Sequence, residues 1–134
     1  MIKYRSGYKY QLAENYAVNV PIQLSGDIHT EYISLSKIGI LMLKIGYAWD
    51  GPSGPTVDTK NFMRGSLVHD ALYQLLRQGL LDPCYREIAD RVLHTICIED
   101  GMSSIRAWWV YRGVRFGGGP AADPKNAKKV YDAP

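Results

Sequence analysis

The chain has 134 residues, 46% of them hydrophobic, and a formal net charge of +3 at pH 7. That is enough to bury one core and too little for two ordinary domains, so residues 1–119 read as a single globular domain and 120–134 as an extended C-terminal arm. The charge is too small, and Lys and Arg too scattered, to imply a nucleic-acid partner, which leaves at most a weak attraction to anionic surfaces.

The start, Met1-Ile2-Lys3-Tyr4-Arg5, lacks the apolar core of a signal peptide, and no stretch reaches the length of a membrane span. The expectation is a chain made and folded in a cytosol. Cys84 and Cys97 are too few for a zinc knuckle or a disulfide framework and read as buried apolar side chains.

The first fifty residues carry period-two patterning. Tyr16, Val18, Val20, Ile22 and Leu24 alternate with Ala17, Asn19, Pro21 and Gln23, which predicts a strand, and Pro21 places it at a sheet edge. Ser25-Gly26-Asp27 is a turn signal, and Tyr32 to Leu35 reads as a second strand. Leu41, Leu43, Ile45, Tyr47 and Trp49 then line one face of a longer strand, with Lys44, Gly46 and Ala48 opposite, and this strand delivers Asp50 to its end. Gly51-Pro52-Ser53-Gly54-Pro55 can continue neither strand nor helix and reads as a loop of fixed shape.

Helical patterning follows. Asp58 or Thr59 is placed to cap a helix over Lys60 to Gln78, and Gly79 to end it. Asp82 as N-cap with Pro83 at the first helical position opens a second helix that runs to about Glu99. A third runs from Ser103 or Ser104 through Trp108 and Trp109 to about Arg115 and stops at Gly117-Gly118-Gly119. Adjacent tryptophans diverge on a helix, so one of them is expected to face the core. The fold class expected is therefore α+β: N-terminal antiparallel β-strands, then an antiparallel helical pair and a third helix.

Two helices joined by the short turn Gly79 to Asp82 bring the middle of the first against the middle of the second, so His69 can meet Asp90. Tyr73 lies four residues from His69 and shares its face. A carboxylate accepting the Nδ1 hydrogen would orient the ring as a general base for a water. Asp70 points about 100° away from His69 on the same helix, toward the Asp50-Gly51-Pro52 loop. Two carboxylates and loop carbonyls make an oxygen-rich site of the kind calcium takes. Each piece also has a plainer meaning. His69-Asp70 fits a surface pair, and Arg86, Asp90 and Arg91 fit salt bridges on a solvated face. His94 fits a satisfied core histidine, and Asp50 a strand end.

The run Tyr47-Ala48-Trp49-Asp50-Gly51-Pro52-Ser53-Gly54-Pro55, followed by Arg64-Gly65-Ser66-Leu67-Val68-His69-Asp70-Ala71-Leu72-Tyr73 and Arg86-Glu87-Ile88-Ala89-Asp90, resembles the domain-of-unknown-function family 1353 of bacteriophages and prophages. That resemblance implies a phage-encoded protein, made in the bacterial host cytoplasm and carried in the virion, with other phage structural proteins as partners. The same core resembles the bacterial branch of secreted phospholipase A2. This second resemblance implies His69 as base, Asp90 as its orienting partner, Tyr73 as a brace, and Asp50, the Gly51 carbonyl and Asp70 as calcium ligands acting on membrane phospholipid. The chain departs from that pattern at Pro52 and Ser66, which stand where half-cystines tie the loop to the helix, and in having no secretion signal.

Two classes of function follow. One is a calcium-dependent phospholipase-like ester hydrolase. The other is a structural or assembly protein of the phage particle (tail, neck or baseplate), in which the His/Asp cluster is internal architecture. For that second class Tyr4, Tyr8, Tyr10 and Tyr16 and the C-terminal arm would supply interfaces. A zinc site from His69, Asp90 and His94 is a weaker third reading, since nothing supplies the customary motif.

Overall fold

The computed structural model describes residues 2–5, 10–50 and 60–124. Antiparallel strands precede helices, so the protein is α+β, and the backbone gathers into two compact units, residues 1–59 and 60–134. The Gly51-to-Pro55 loop, the capping candidates Asp58 and Thr59, Tyr8, and residues 125–134 lie outside the described residues.

The first unit holds two antiparallel sheets. One has the order β1 (Tyr4–Arg5), β2 (Tyr10–Leu12), β7 (Ala48–Trp49). The other has the order β3 (Tyr16–Asn19), β6 (Ile40–Leu43), β5 (Ile33–Leu35), β4 (Ile28–His29). In the second sheet Ile33 pairs with Leu43 and Leu35 with Leu41, which puts four buried side chains on one face, while Met42 turns outward on the other. β3 is an edge strand, but it ends at Asn19, so the strand expected to run on through Pro21 to Leu24 stops short of the proline.

The single long strand expected through Leu41 to Trp49 is instead two strands in different sheets. Gly46 adopts φ 93°, in the left-handed region, and the Tyr47 amide turns back to the Lys44 carbonyl at 3.0 Å. The turn carries Ile45 off the apolar face, where the period had placed it, and leaves it 57% exposed. Tyr10, one of the N-terminal tyrosines, packs its ring 5.6 Å from that of Trp49.

The second unit is helical: α1 (Lys60–Arg77), a 3-10 turn at Pro83–Tyr85, α2 (Arg86–Glu99), α3 (Ser104–Gly117) and the short α4 (Gly119–Ala122). α1 closes at Gly79 (φ 72°), with Leu80 and Leu81 both donating to the Leu75 carbonyl. Asp82 caps the 3-10 turn by accepting from the Cys84 amide at 2.9 Å, so the true α-helix starts at Arg86, one turn later than the proline suggests. Ser103 caps α3. No helix among the described residues is long and apolar enough to cross a membrane.

α1 and α2 run antiparallel, since Arg64 near the start of one meets Glu99 and Asp100 at the end of the other. Their backbones approach closely at Gly65, where an added Cβ would stand 2.9 Å from the Cys97 sulfur and 3.0 Å from Leu93 Cδ1. Phe62, Leu93, Cys97, Met102 and Ala107 form the core beside them, with Val110 and Val114 of α3 against it. Three expectations are corrected here. Cys97 is buried but Cys84 is exposed, because it lies on the outward side of the capped turn. Neither tryptophan of α3 enters the core, for Ala107, Val110 and Val114 supply the inward face. Pro120 to Ala122 are helical rather than extended, with Ala122 buried and the Ala121 carbonyl held by Arg77 at 3.1 Å.

Candidate active site

Asp90 is the centre of the helical unit's polar chemistry. Its residue is fully buried, and a carboxylate withdrawn from water must find its hydrogen bonds in protein. Three side chains from two neighbouring helices supply them. From α1, His69 Nε2 lies 2.7 Å and the Tyr73 hydroxyl 2.6 Å from Asp90 Oδ1. From α3, Arg115 Nη1 reaches Oδ2 at 2.8 Å. Among the described residues no buried side-chain nitrogen or oxygen lacks a partner.

Sequence spacing anticipates that His69 and Asp90 meet and that Tyr73 joins them, but it assigns the wrong ring nitrogen. Nε2, not Nδ1, faces Asp90. The physical reason is reach: the ring spans the gap between helices, so its distal nitrogen makes the contact. Nε2 therefore carries the proton in the neutral tautomer, and Nδ1 is left with the lone pair. Nδ1 stands 3.9 Å from Asp70 Oδ1. The Tyr73 ring stacks on the imidazole in a tilted pose, with centroids 4.1 Å apart, and limits its rotation.

Electrostatics follow from this arrangement. Burial disfavours the imidazolium, but hydrogen bonds and charge from Asp70 and Asp90 outweigh it, so the His69 pKa is raised. Burial likewise disfavours the Asp90 carboxylate, yet the His69 and Tyr73 hydrogen bonds with the charge nearby hold its pKa below the ordinary value. Burial and the neighbouring carboxylate push the Tyr73 phenol well above its usual range, so it stays a hydrogen-bond donor.

Of the two arginines of the cluster, Arg115 escapes the sequence reading and Arg86, expected in a solvated salt bridge with Asp90, has other partners. Arg86 Nε donates to the Tyr73 hydroxyl at 3.2 Å, while its Nη2 donates to the Val114 and Arg115 carbonyls at 3.0 and 2.9 Å. Its four-residue spacing from Asp90 suggests an ion pair on one helix face, but the guanidinium goes to Tyr73 and to the end of α3 instead. Arg115 comes from the far end of a third helix and has no local signal. The solvated salt bridge expected around Asp90 exists elsewhere, between Arg91 and Glu87 at 2.8 Å. His94 packs edge-on against Tyr111, 5.8 Å between centroids. Gly118 completes the enclosure, since a Cβ there would lie 2.5 Å from the Tyr73 hydroxyl oxygen.

Of the expected calcium ligands, Asp70 presents a side chain 36% exposed beside His69, and Asp50 follows β7 in the first unit as an exposed residue. Gly51 lies outside the described residues. Among the described residues no three metal-ligating side chains gather at one point. The donor chemistry of the expected set, two carboxylates and a backbone carbonyl, fits a hard, oxygen-seeking cation.

Comparison of the chain with protein-family models, with curated proteins and with solved structures gives no match.

Proposed function

We propose that this chain is a phage-encoded, virion-associated protein whose helical unit is a phospholipase A2-like ester hydrolase acting on membrane phospholipid. The observation that carries the reading is the orientation of His69: Nε2 is fixed by a buried carboxylate that Tyr73 and Arg115 also hold, which leaves Nδ1 as the basic nitrogen. In the neutral imidazole, Nδ1 takes a proton from water as the water attacks an ester carbonyl, and returns it to the departing alcohol. Asp90 stays ionised and stabilises the imidazolium formed between those steps. Tyr73 and Arg115 keep its charge and position constant. The phospholipase resemblance implies calcium on Asp50, the Gly51 carbonyl and Asp70, and calcium so held would supply positive charge for the ester oxygen.

One observation favours the second class of function, a structural or assembly protein of the particle. Every donor to Asp90 comes from another helix, so the same cluster ties α1, α2 and α3 together whether or not water is activated. Calorimetric titration with Ca²⁺ and an assay of fatty-acid release from mixed phospholipid vesicles separate the two. The hydrolase reading expects turnover that needs Ca²⁺ and is lost in His69→Ala and Asp50→Asn. A folded protein that neither binds Ca²⁺ nor releases fatty acid leaves His69, Asp70 and Asp90 as architecture.

A further inference from the structure

α3 packs on its neighbours through Ala107, Val110 and Val114 and turns a second apolar face outward. At 3.6 residues per turn, Ile105, Trp108, Trp109, Arg112 and Phe116 fall within an arc of about 100°. Ile105 is 73% exposed, Trp109 65% and Phe116 96%, and Trp108 is also exposed. Monomeric proteins seldom leave large aromatics contiguous in water without a use for them. Arg112 sits on the same face, with its guanidinium carbon 5.6 Å from the centre of the Trp108 ring.

We propose that this face of α3 docks the protein on the surface of an anionic phospholipid bilayer. Charge selects this partner: Arg112 lies on the outward face beside Trp108, and α3 contains no acidic residue. From Ser103 onward the sequence carries six Lys or Arg against two Asp, so the positive excess of the whole chain falls in this segment. Tryptophan belongs at the headgroup boundary, where its ring is half in hydrocarbon and its N–H reaches water, with arginine on the phosphates. Such a surface needs no shaped pocket, which suits side chains as unenclosed as Phe116. The inference rests on the phospholipid reading only for its choice of a lipid over another anionic partner, and it is tested without hydrolysis.

The probe is sedimentation with vesicles of pure phosphatidylcholine and of phosphatidylcholine mixed with phosphatidylglycerol, using wild type and the His69→Gln chain side by side. Trp49 is buried, so tryptophan fluorescence reports mainly on Trp108 and Trp109. Expected are binding to the anionic vesicles by both chains, weakened by salt, a blue shift, and quenching by brominated acyl chains. Trp109→Ser and Phe116→Ser should each lower the partition coefficient about tenfold, and Arg112→Glu should lower it on anionic vesicles alone. Because these side chains pack little, circular dichroism should show the variants folded. No binding, or binding indifferent to all three substitutions, overturns the proposal. So does a concentration-dependent dimer that the same substitutions dissolve in the absence of vesicle binding, since the face then belongs to a second copy. Docking with no fatty-acid release upholds this proposal while removing the hydrolase.

Discussion

Two ionic clusters join the helices of the second unit, and they differ in what surrounds them. At one end Arg64 forks onto Asp100, with Nε at 3.0 Å from Oδ2 and Nη2 at 2.9 Å from Oδ1, and reaches Glu99 at 2.9 Å. Glu99 is open to water and Asp100 keeps a quarter of its side chain exposed, so solvent still shares the charge of this cluster even though the Arg64 side chain is mostly covered. At the other end Asp90 has no contact with water, and the groups around it must replace hydration completely. Similar distances thus carry different energies, and only the enclosed cluster contains an imidazole with one nitrogen fixed. Placing a charge where it is costly to keep is what marks the second cluster as a candidate for chemistry.

The widest separation between the clusters should come from Asp90→Ala. It leaves His69, Tyr73 and Arg115 without their acceptor and is expected to cost about 3–5 kcal/mol in denaturant unfolding, with loss of any hydrolysis. A cost near that of a surface pair would erase the distinction. Next comes Gly118→Ala, whose methyl meets the Tyr73 hydroxyl and the Val114 carbonyl, both at 2.5 Å. Overpacking there should cost about 1–3 kcal/mol and broaden the His69 ring resonances in NMR, and unchanged resonances would mean that the enclosure is slack. Arg64→Ala gives the small end of the scale, about 1 kcal/mol or less, with hydrolysis unaffected.

The pH response sharpens the comparison further. The folded-state pKa of His69 is raised, so its contribution is fully present below the unfolded value of 6.5 and is lost as pH rises through the folded value. The Asp90 contribution has the opposite sense, present above 3.8 and lost as pH falls through its lowered pKa. The Tm advantage of wild type over His69→Gln should therefore be greatest in mildly acidic solution and shrink toward alkaline pH. Hydrolysis should do the reverse and rise with pH, because the base is the neutral ring. An advantage that grows with pH would reverse the assignment of the imidazole's partners.

Much of the helical unit was legible because its punctuation is local. Asp82, Ser103 and Gly79 end or begin helices through contacts within a few residues, and His69, Tyr73 and Asp90 follow from helical spacing across one short turn. What escaped depends on distant parts of the chain. Arg115 joins Asp90 only because α3 folds back, and the ring nitrogen that meets Asp90 is set by the width of the interhelical gap. In the first unit the alternating pattern was read straight through Gly46, although a single positive φ diverts the chain into another sheet and throws Ile45 out. Alternation of apolar residues tells which side a strand shows, not whether the strand is continuous. The tryptophans failed for a related reason: α3 has two apolar faces, and the smaller side chains took the inner one.

Arg86 spends one guanidinium on three acceptors, the Tyr73 hydroxyl and the carbonyls of Val114 and Arg115. Fraying at the end of α3 must therefore withdraw Arg115 from Asp90 and unseat Arg86 at the same moment. The last turn of α3 and the imidazole pocket form one cooperative opening unit. The Gly118 amide, which donates to Val114 at 2.8 Å, should then exchange its hydrogen at the rate at which the pocket itself opens, faster than amides in the middle of α1.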